Sequence, residues 1–239
     1  MRRHTALAAG IALALVASGS ASAAILVATY TGTVKDGFDL TGEFGVAGAD
    51  LTGLSYVSVY RYDTARGVRT TVPGVSDEVL GGSFYGATSP VLSGSVTING
   101  ITQSFAPDLY SLARTGAPPA TIQHELEMQH IYGPGIKRDY FLSNIMFDDN
   151  APANLNVAYV GHPFGSLAFL SGGSFNFQDN NPLADSHSAY GNLTATEVRI
   201  VVERGGGQGV PEATTWMLMV GGFGLVGTAL RRRRSALIA

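Results

Sequence analysis

The chain of 239 residues contains no cysteine. That absence removes disulfide scaffolds, cysteine-ligated zinc, iron–sulfur clusters, cysteine nucleophiles and a lipid anchor attached through a cysteine. Basic residues are scarce in the middle of the chain. Between Ala24 and Val210 stand 9 Lys and Arg against 17 Asp and Glu, a balance of −8. The other basic residues are Arg2, Arg3 and Arg231 to Arg234. A body this acidic lacks the phosphate-neutralising stripe that nucleic-acid binders need, so no nucleic-acid partner is expected. There is no phosphate-cradling glycine loop, no dinucleotide fingerprint and no Gly-x-Ser-x-Gly elbow. No cofactor is expected, and no repeat of period 20 to 50 interrupts the chain.

What is present begins with an address. Met1-Arg2-Arg3-His4 is a short cationic start, and Ala6 to Ala17 is almost wholly apolar. Ala21-Ser22-Ala23 then offers the small-x-small pattern that signal peptidase accepts, with Ala24 as the expected new N-terminus. The alternative, a permanent membrane helix, needs about 20 apolar residues. This run is shorter and breaks at Ser18-Gly19-Ser20. Residues 1–23 therefore read as a signal peptide.

The other end carries more. Residues 205–210 form a Gly-rich linker, Gly205-Gly206-Gly207-Gln208-Gly209-Val210, whose glycines leave the backbone nearly unrestrained. Pro211-Glu212-Ala213 follows, and Trp216 to Leu230 contains no charge. As a helix that span is about 22 Å long, thin against a bilayer core of about 30 Å. Trp216 at one interface and snorkelling arginines at the other close part of the gap. The cluster Arg231, Arg232, Arg233 and Arg234 acts as a stop-transfer plug and is expected to stay cytoplasmic, leaving the body outside. A core helix is the alternative, but Gly221, Gly222, Gly224 and Gly227 would each weaken it by about 1 kcal/mol in water. Small residues are better tolerated where helices pack in a membrane.

Pro211-Glu212, Trp216, Met217-Leu218-Met219, Gly222-Phe223-Gly224, Gly227 and the arginines together resemble a PEP-CTERM sorting signal over residues 211–239. In that family a Pro-Glu-Pro tripeptide precedes a short transmembrane helix and a basic end, and an exosortase recognises and cleaves it. Ala213 stands where the family has its second proline. The resemblance implies an exported protein of an exopolysaccharide-producing Gram-negative bacterium. Its processing partners would be signal peptidase and an exosortase. It would be anchored transiently in the inner membrane, then released to the cell envelope, outer surface or matrix, with exopolysaccharide as a further partner. Thr31-Gly32-Thr33, Asp39, Thr41-Gly42 and Phe44-Gly45 also resemble other proteins bearing this tail, which implies no activity.

Residues 24–204 alternate with period two rather than in a helical stripe. Strands are expected at Ile25–Thr33, Tyr56–Tyr62, Ser93–Ile98, Ile101–Phe105 and Ile122–Tyr132. Further strands are expected at Asp139–Phe147, Asn154–Tyr159, Ser174–Phe177 and Thr194–Glu203. Asn99-Gly100 between two alternating segments predicts a type I′ hairpin, since both turn residues need positive φ. Frequent glycines fit many short turns. The expectation is one all-β domain, a β-sandwich or jelly roll.

Chemistry is harder to find. His124-Glu125-Leu126-Glu127-Met128-Gln129-His130 lacks the helical His-Glu-x-x-His of a zincin, and in a strand its histidines stand about 20 Å apart. Asp148-Asp149-Asn150 and Asp179-Asn180-Asn181 carry calcium-type oxygens but no calcium-loop spacing, and turn chemistry explains them better. Tyr56, Tyr60 and Tyr62 share a strand face and either stack on sugars or fill a core. No metal ligand and no catalytic residue is selected. The leading expectation is a non-enzymatic structural or adhesive envelope protein. The alternatives are a carbohydrate-binding module presenting exposed aromatics, or a secreted hydrolase gathering His124, His162 or His187 with carboxylates.

Overall fold

A computed structural model of the protein describes residues 25–105, 109–116, 121–131, 137–179 and 187–203. Thirteen strands run through them. In chain order they are β1 (Ile25–Asp39), β2 (Ala49–Asp50), β3 (Ser55–Asp63), β4 (Val68–Val72), β5 (Ser76–Gly81), β6 (Val91–Ile98) and β7 (Ile101–Phe105). There follow β8 (Tyr110–Gly116), β9 (Thr121–Ile131), β10 (Lys137–Phe147), β11 (Tyr159–Gly161), β12 (Gly172–Asp179) and β13 (His187–Glu203). The two short helical segments are 3-10 turns, Ser83–Tyr85 and Gly165–Leu170. The fold is all-β, as the period-two alternation predicts.

Every strand belongs to one sheet, ordered β4-β5-β8-β9-β10-β12-β13-β1-β3-β6-β7, with β11 beside β13 and β2 beside β1. All its pairings are antiparallel. The long strands β1 and β13 pair from Ile25↔Glu203 to Asp39↔Ala189, with register shifts at Thr31/Gly32 and Val34/Asp36. Their inward positions, Leu26, Ala28 and Tyr30 against Val198 and Ile200, are buried. Val202, at the end of the same face of β13, is 40% exposed.

In sheet order β9 and β10 are separated from β1 and β3 by β12 and β13, yet inward side chains of the two pairs meet. Tyr30 on β1 touches His124 on β9, and Tyr60 on β3 bonds Asn144 on β10. The sheet therefore folds over across β12 and β13, and a single curled sheet encloses its own core. The rings of Phe44, Phe175 and Phe177 fill that core near the fold-over, with Phe44 edge-on to both.

The loop between β1 and β2 is organised by one buried carboxylate. Asp39 Oδ1 accepts the N–H groups of Gly42 and Glu43 at 2.7 and 2.8 Å, and Oδ2 accepts Phe44 N–H at 2.7 Å. Three backbone donors replace the water that this anion loses on burial, so no cation is required. A second buried carboxylate, Asp77 on β5, takes Arg69 in a bidentate pair at 2.9 and 2.6 Å. Asp77 also accepts Thr71 O–H and Leu155 N–H, tying a distant loop to the sheet edge.

That second anchor explains a correction. Asn154–Tyr159 is not a strand: Leu155 is buried and held by Asp77, and Asn156 N–H bonds Asn154 Oδ1 in a local turn. Only Tyr159–Gly161 pairs, with Ile200 to Val198. The β6–β7 hairpin is as expected. Ile98 faces Ile101, with Asn99 at φ 52° and Gly100 at φ 77°. No heavy atom lies within 4 Å of where a Gly100 Cβ would stand, so only the left-handed backbone resists a side chain there. Gly100→Ala is expected to cost about 1 kcal/mol, read as a lower urea midpoint at unchanged slope.

Candidate functional site

Pro211, Glu212, Trp216, Arg231 to Arg234, Ala21 and Ala23 lie outside the described residues, as do the linker and the expected helix 216–230. Among the described residues no helix is long and apolar enough to cross a membrane. The body itself holds two clusters of chemistry-bearing side chains, one sealed and one open.

The sealed cluster is aromatic. Tyr56, Tyr60 and Tyr62 share the inner face of β3 and are fully buried, so they fill the core and present nothing to a sugar. Opposite them Asn144 donates to Tyr56 Oη at 3.2 Å and accepts from Tyr60 O–H at 2.9 Å. His124, its cross-strand neighbour, lies 2.8 Å from Tyr30 Oη through Nδ1, stacks on Tyr60 and packs at a tilt against Tyr62. Its Nε2 has no hydrogen-bond partner. Burial disfavours the imidazolium and pulls the His124 pKa down to about 3. The ring is therefore neutral at pH 7, sealed from substrate, and structural.

The open cluster forms where the loop after β10 meets the loop after β11. A surface cleft of about 270 Å³ lies there, lined on its polar side by Asp148, Asp149, Asn150, Tyr159 and His162. Val160, Pro163 and Phe164 are the other lining residues. Asp148 holds the floor: Oδ1 accepts Asn150 N–H at 2.9 Å, and Oδ2 accepts His162 N–H at 2.8 Å. Burial pushes the Asp148 carboxyl up, but these amides and the Tyr159 hydroxyl outweigh it and hold the group below its ordinary range. Burial and the Asp148 charge push the Tyr159 hydroxyl the other way. Phe164 N–H bonds Phe147 O at 3.0 Å, fixing the apolar wall to the end of β10.

The structure thus brings His162 beside the Asp148-Asp149 run, the company that the hydrolase alternative requires. Its geometry is different from a catalytic pair. Asp148 engages the backbone of His162, while the imidazole Nδ1 lies 3.4 Å from Thr196 O. Asp148-Asp149-Asn150 forms a side-chain-capped turn, with Asn150 Nδ2 on Asp149 Oδ1 at 2.6 Å, and no group of three His, Asp or Glu among the described residues is placed to hold a metal. In the second run Asn180 and Asn181 lie outside the described residues, as do the side chains of Asp179, His130 and His187. The wall residue Phe164 is missing from the sequence reading because a lone aromatic in a loop carries no periodic signal. The described residues form an all-β, single-sheet body that carries a mixed aromatic and acidic surface cleft. No family model, curated protein or solved structure matches the chain.

Proposed function

We propose that the chain is an exported envelope or matrix protein, sorted by an exosortase, whose β-sandwich or jelly-roll-like body has a structural or adhesive rather than an enzymatic role. The observation that carries the reading is the linked tail: Pro211-Glu212, an uncharged span from Trp216 to Leu230, then four arginines, all behind a Gly-rich linker. The last described strand ends at Glu203, and in the sequence the linker and then the motif follow it. Signal peptidase acts after Ala23 and the exosortase at the Pro-Glu site. The body then passes from the inner membrane toward the outer surface and its exopolysaccharide.

Each part of the tail has its own physical task. Pro211 fixes φ and withholds an N–H, so the residues before the membrane stay extended and accessible. Glu212 carries a charge that resists the bilayer and sets the motif at its outer boundary. Arg231 to Arg234 stop translocation of a span too thin to stop by itself. Pro211→Ala combined with Glu212→Ala is expected to accumulate the unprocessed, membrane-bound chain. Replacing all four arginines by alanine instead weakens membrane retention before cleavage. Fractionation and immunoblotting in a host with and without its exosortase provide the measurement. Equal processing in both hosts refutes the sorting reading and leaves a plain single-span membrane protein.

A further inference from the structure

The cleft beside Asp148 has a chemistry that its structural bonds do not use up. Asn150 Nδ2 donates to Asp149 Oδ1 at 2.6 Å, which sets an amide and a carboxylate side by side on the exposed rim. A neighbouring pair of hydroxyls, each at once donor and acceptor, matches such a rim. Phe164, in the lining of the same cleft, is 50% exposed, and its ring is of the size of a saturated six-membered ring. A cleft of about 270 Å³ lies just below the roughly 300–1,000 Å³ of drug-sized ligand sites, which suits one such ring.

Charge narrows the ligand further. Among the described residues no Lys or Arg lines the cleft, while two carboxylates do. A uronate, sulfate or phosphate would lose hydration there and meet like charge without compensation. The site is also built before any ligand arrives, since Asp148 ties both loops together and Phe164 is pinned to Phe147. Preorganisation of this kind lowers the ordering cost of binding. The floor carboxylate is fully engaged by Asn150, His162 and Tyr159, which leaves it poorly placed to ligate a cation.

We propose that this cleft binds an uncharged pyranose residue of a polysaccharide, with the sugar's apolar face on Phe164 and its hydroxyls on Asp149, Asn150 and His162. The inference rests on the matrix reading for the polymer that supplies the sugar. The full chain, purified in detergent, is run through native gels containing a β-glucan, a galactan, a mannan or an N-acetylglucosamine polymer, with polygalacturonate as the charged comparison. Retardation by at least one neutral polymer is expected, and none by polygalacturonate. Phe164→Ala and Asn150→Ala should each weaken that retardation, the first by about tenfold, while Phe164→Tyr keeps it. Phe169→Ala, at a residue 76% exposed on the adjacent turn but outside the cleft, should leave it unchanged. The proposal is overturned if no neutral polymer retards the chain, if polygalacturonate does so more strongly, or if Phe164→Ala and Asn150→Ala both bind like the parent. A chain that an exosortase processes but no polymer retards refutes the cleft alone. A retarded chain processed equally without exosortase refutes the sorting alone.

Discussion

Between pH 7 and pH 4.5 the folded body is expected to lose about 2.5 kcal/mol of stability through His124 alone. Burial holds its imidazole pKa at about 3 in the folded chain, against about 6.5 when unfolded. The sign follows from proton uptake. Between those two values the unfolded chain binds one more proton than the folded one, so acid favours unfolding at about 1.4 kcal/mol per pH unit. The stabilisation is full above pH 6.5 and is lost as pH falls toward 3. The groups around the ring, Tyr30, Tyr60, Tyr62 and Asn144, offer no negative charge near pH 5 to hold an imidazolium.

Buried carboxylates act in a different window. Burial raises the Asp77 carboxyl, but Arg69, Leu155 N–H and Thr71 together bring it below its ordinary range. Its contribution is therefore present above the unfolded value near 3.9 and fades only as pH falls through the lowered folded value. Losses between pH 6.5 and 4.5 belong to His124, and below about pH 4 those of Asp77 and Asp148 add to its remaining loss. His124→Gln keeps an acceptor for Tyr30 but cannot titrate. Urea unfolding of this variant followed by far-UV circular dichroism should show a nearly flat stability profile from pH 7 to 4.5. An unchanged slope would remove His124 as the cause.

The sequence displays the interior of this fold better than its edges. β1, β3 and β13 are legible because Leu26, Ala28 and Tyr30, or Tyr56, Tyr60 and Tyr62, alternate with exposed positions. β6 and β7 are legible because Asn99-Gly100 demands a two-residue turn. β8 escapes the same reading because its inward positions are Ser111, Ala113 and Thr115. They are small or polar, and Thr115 O–H is spent on Pro152 O. β4, at the sheet's edge, is exposed at all five positions, so no alternation exists to be read. The cleft is half legible. Asp148-Asp149-Asn150 announces a turn locally, whereas the approach of His162 and Phe164 depends on β11 pairing with β13 and on bonds to Asp148 and Phe147, contacts between segments distant in sequence.

Gly173→Ala is expected to be among the most damaging conservative changes in the described body. Folding one sheet over its own core requires close backbone approach somewhere between β10 and β1, and glycines stand there on successive strands. A Cβ at Gly173 would overlap the Ser143 carbonyl oxygen and lie 2.8 Å from its carbon, and one at Gly32 would overlap the Thr194 oxygen. Gly172 meets Leu193 in the same way. The register shift at Thr31/Gly32 coincides with this line, as expected where a strand is bent. The obstacle at Gly173 is ladder backbone, not the end of a flexible side chain, so relief requires β10 and β12 to part. Such overpacking costs about 3 kcal/mol or more. For a body of this size that corresponds to a fall in Tm of about 6–12 °C. Gly100→Ala, limited by φ in open space, should lower Tm by only about 2–4 °C. The comparison separates space from conformation. If Gly173→Ala melts no lower than Gly100→Ala, the close approach does not bend the sheet. If it melts far lower, then Tyr30, His124 and Asn144 face one another because a line of missing side chains lets the sheet curl.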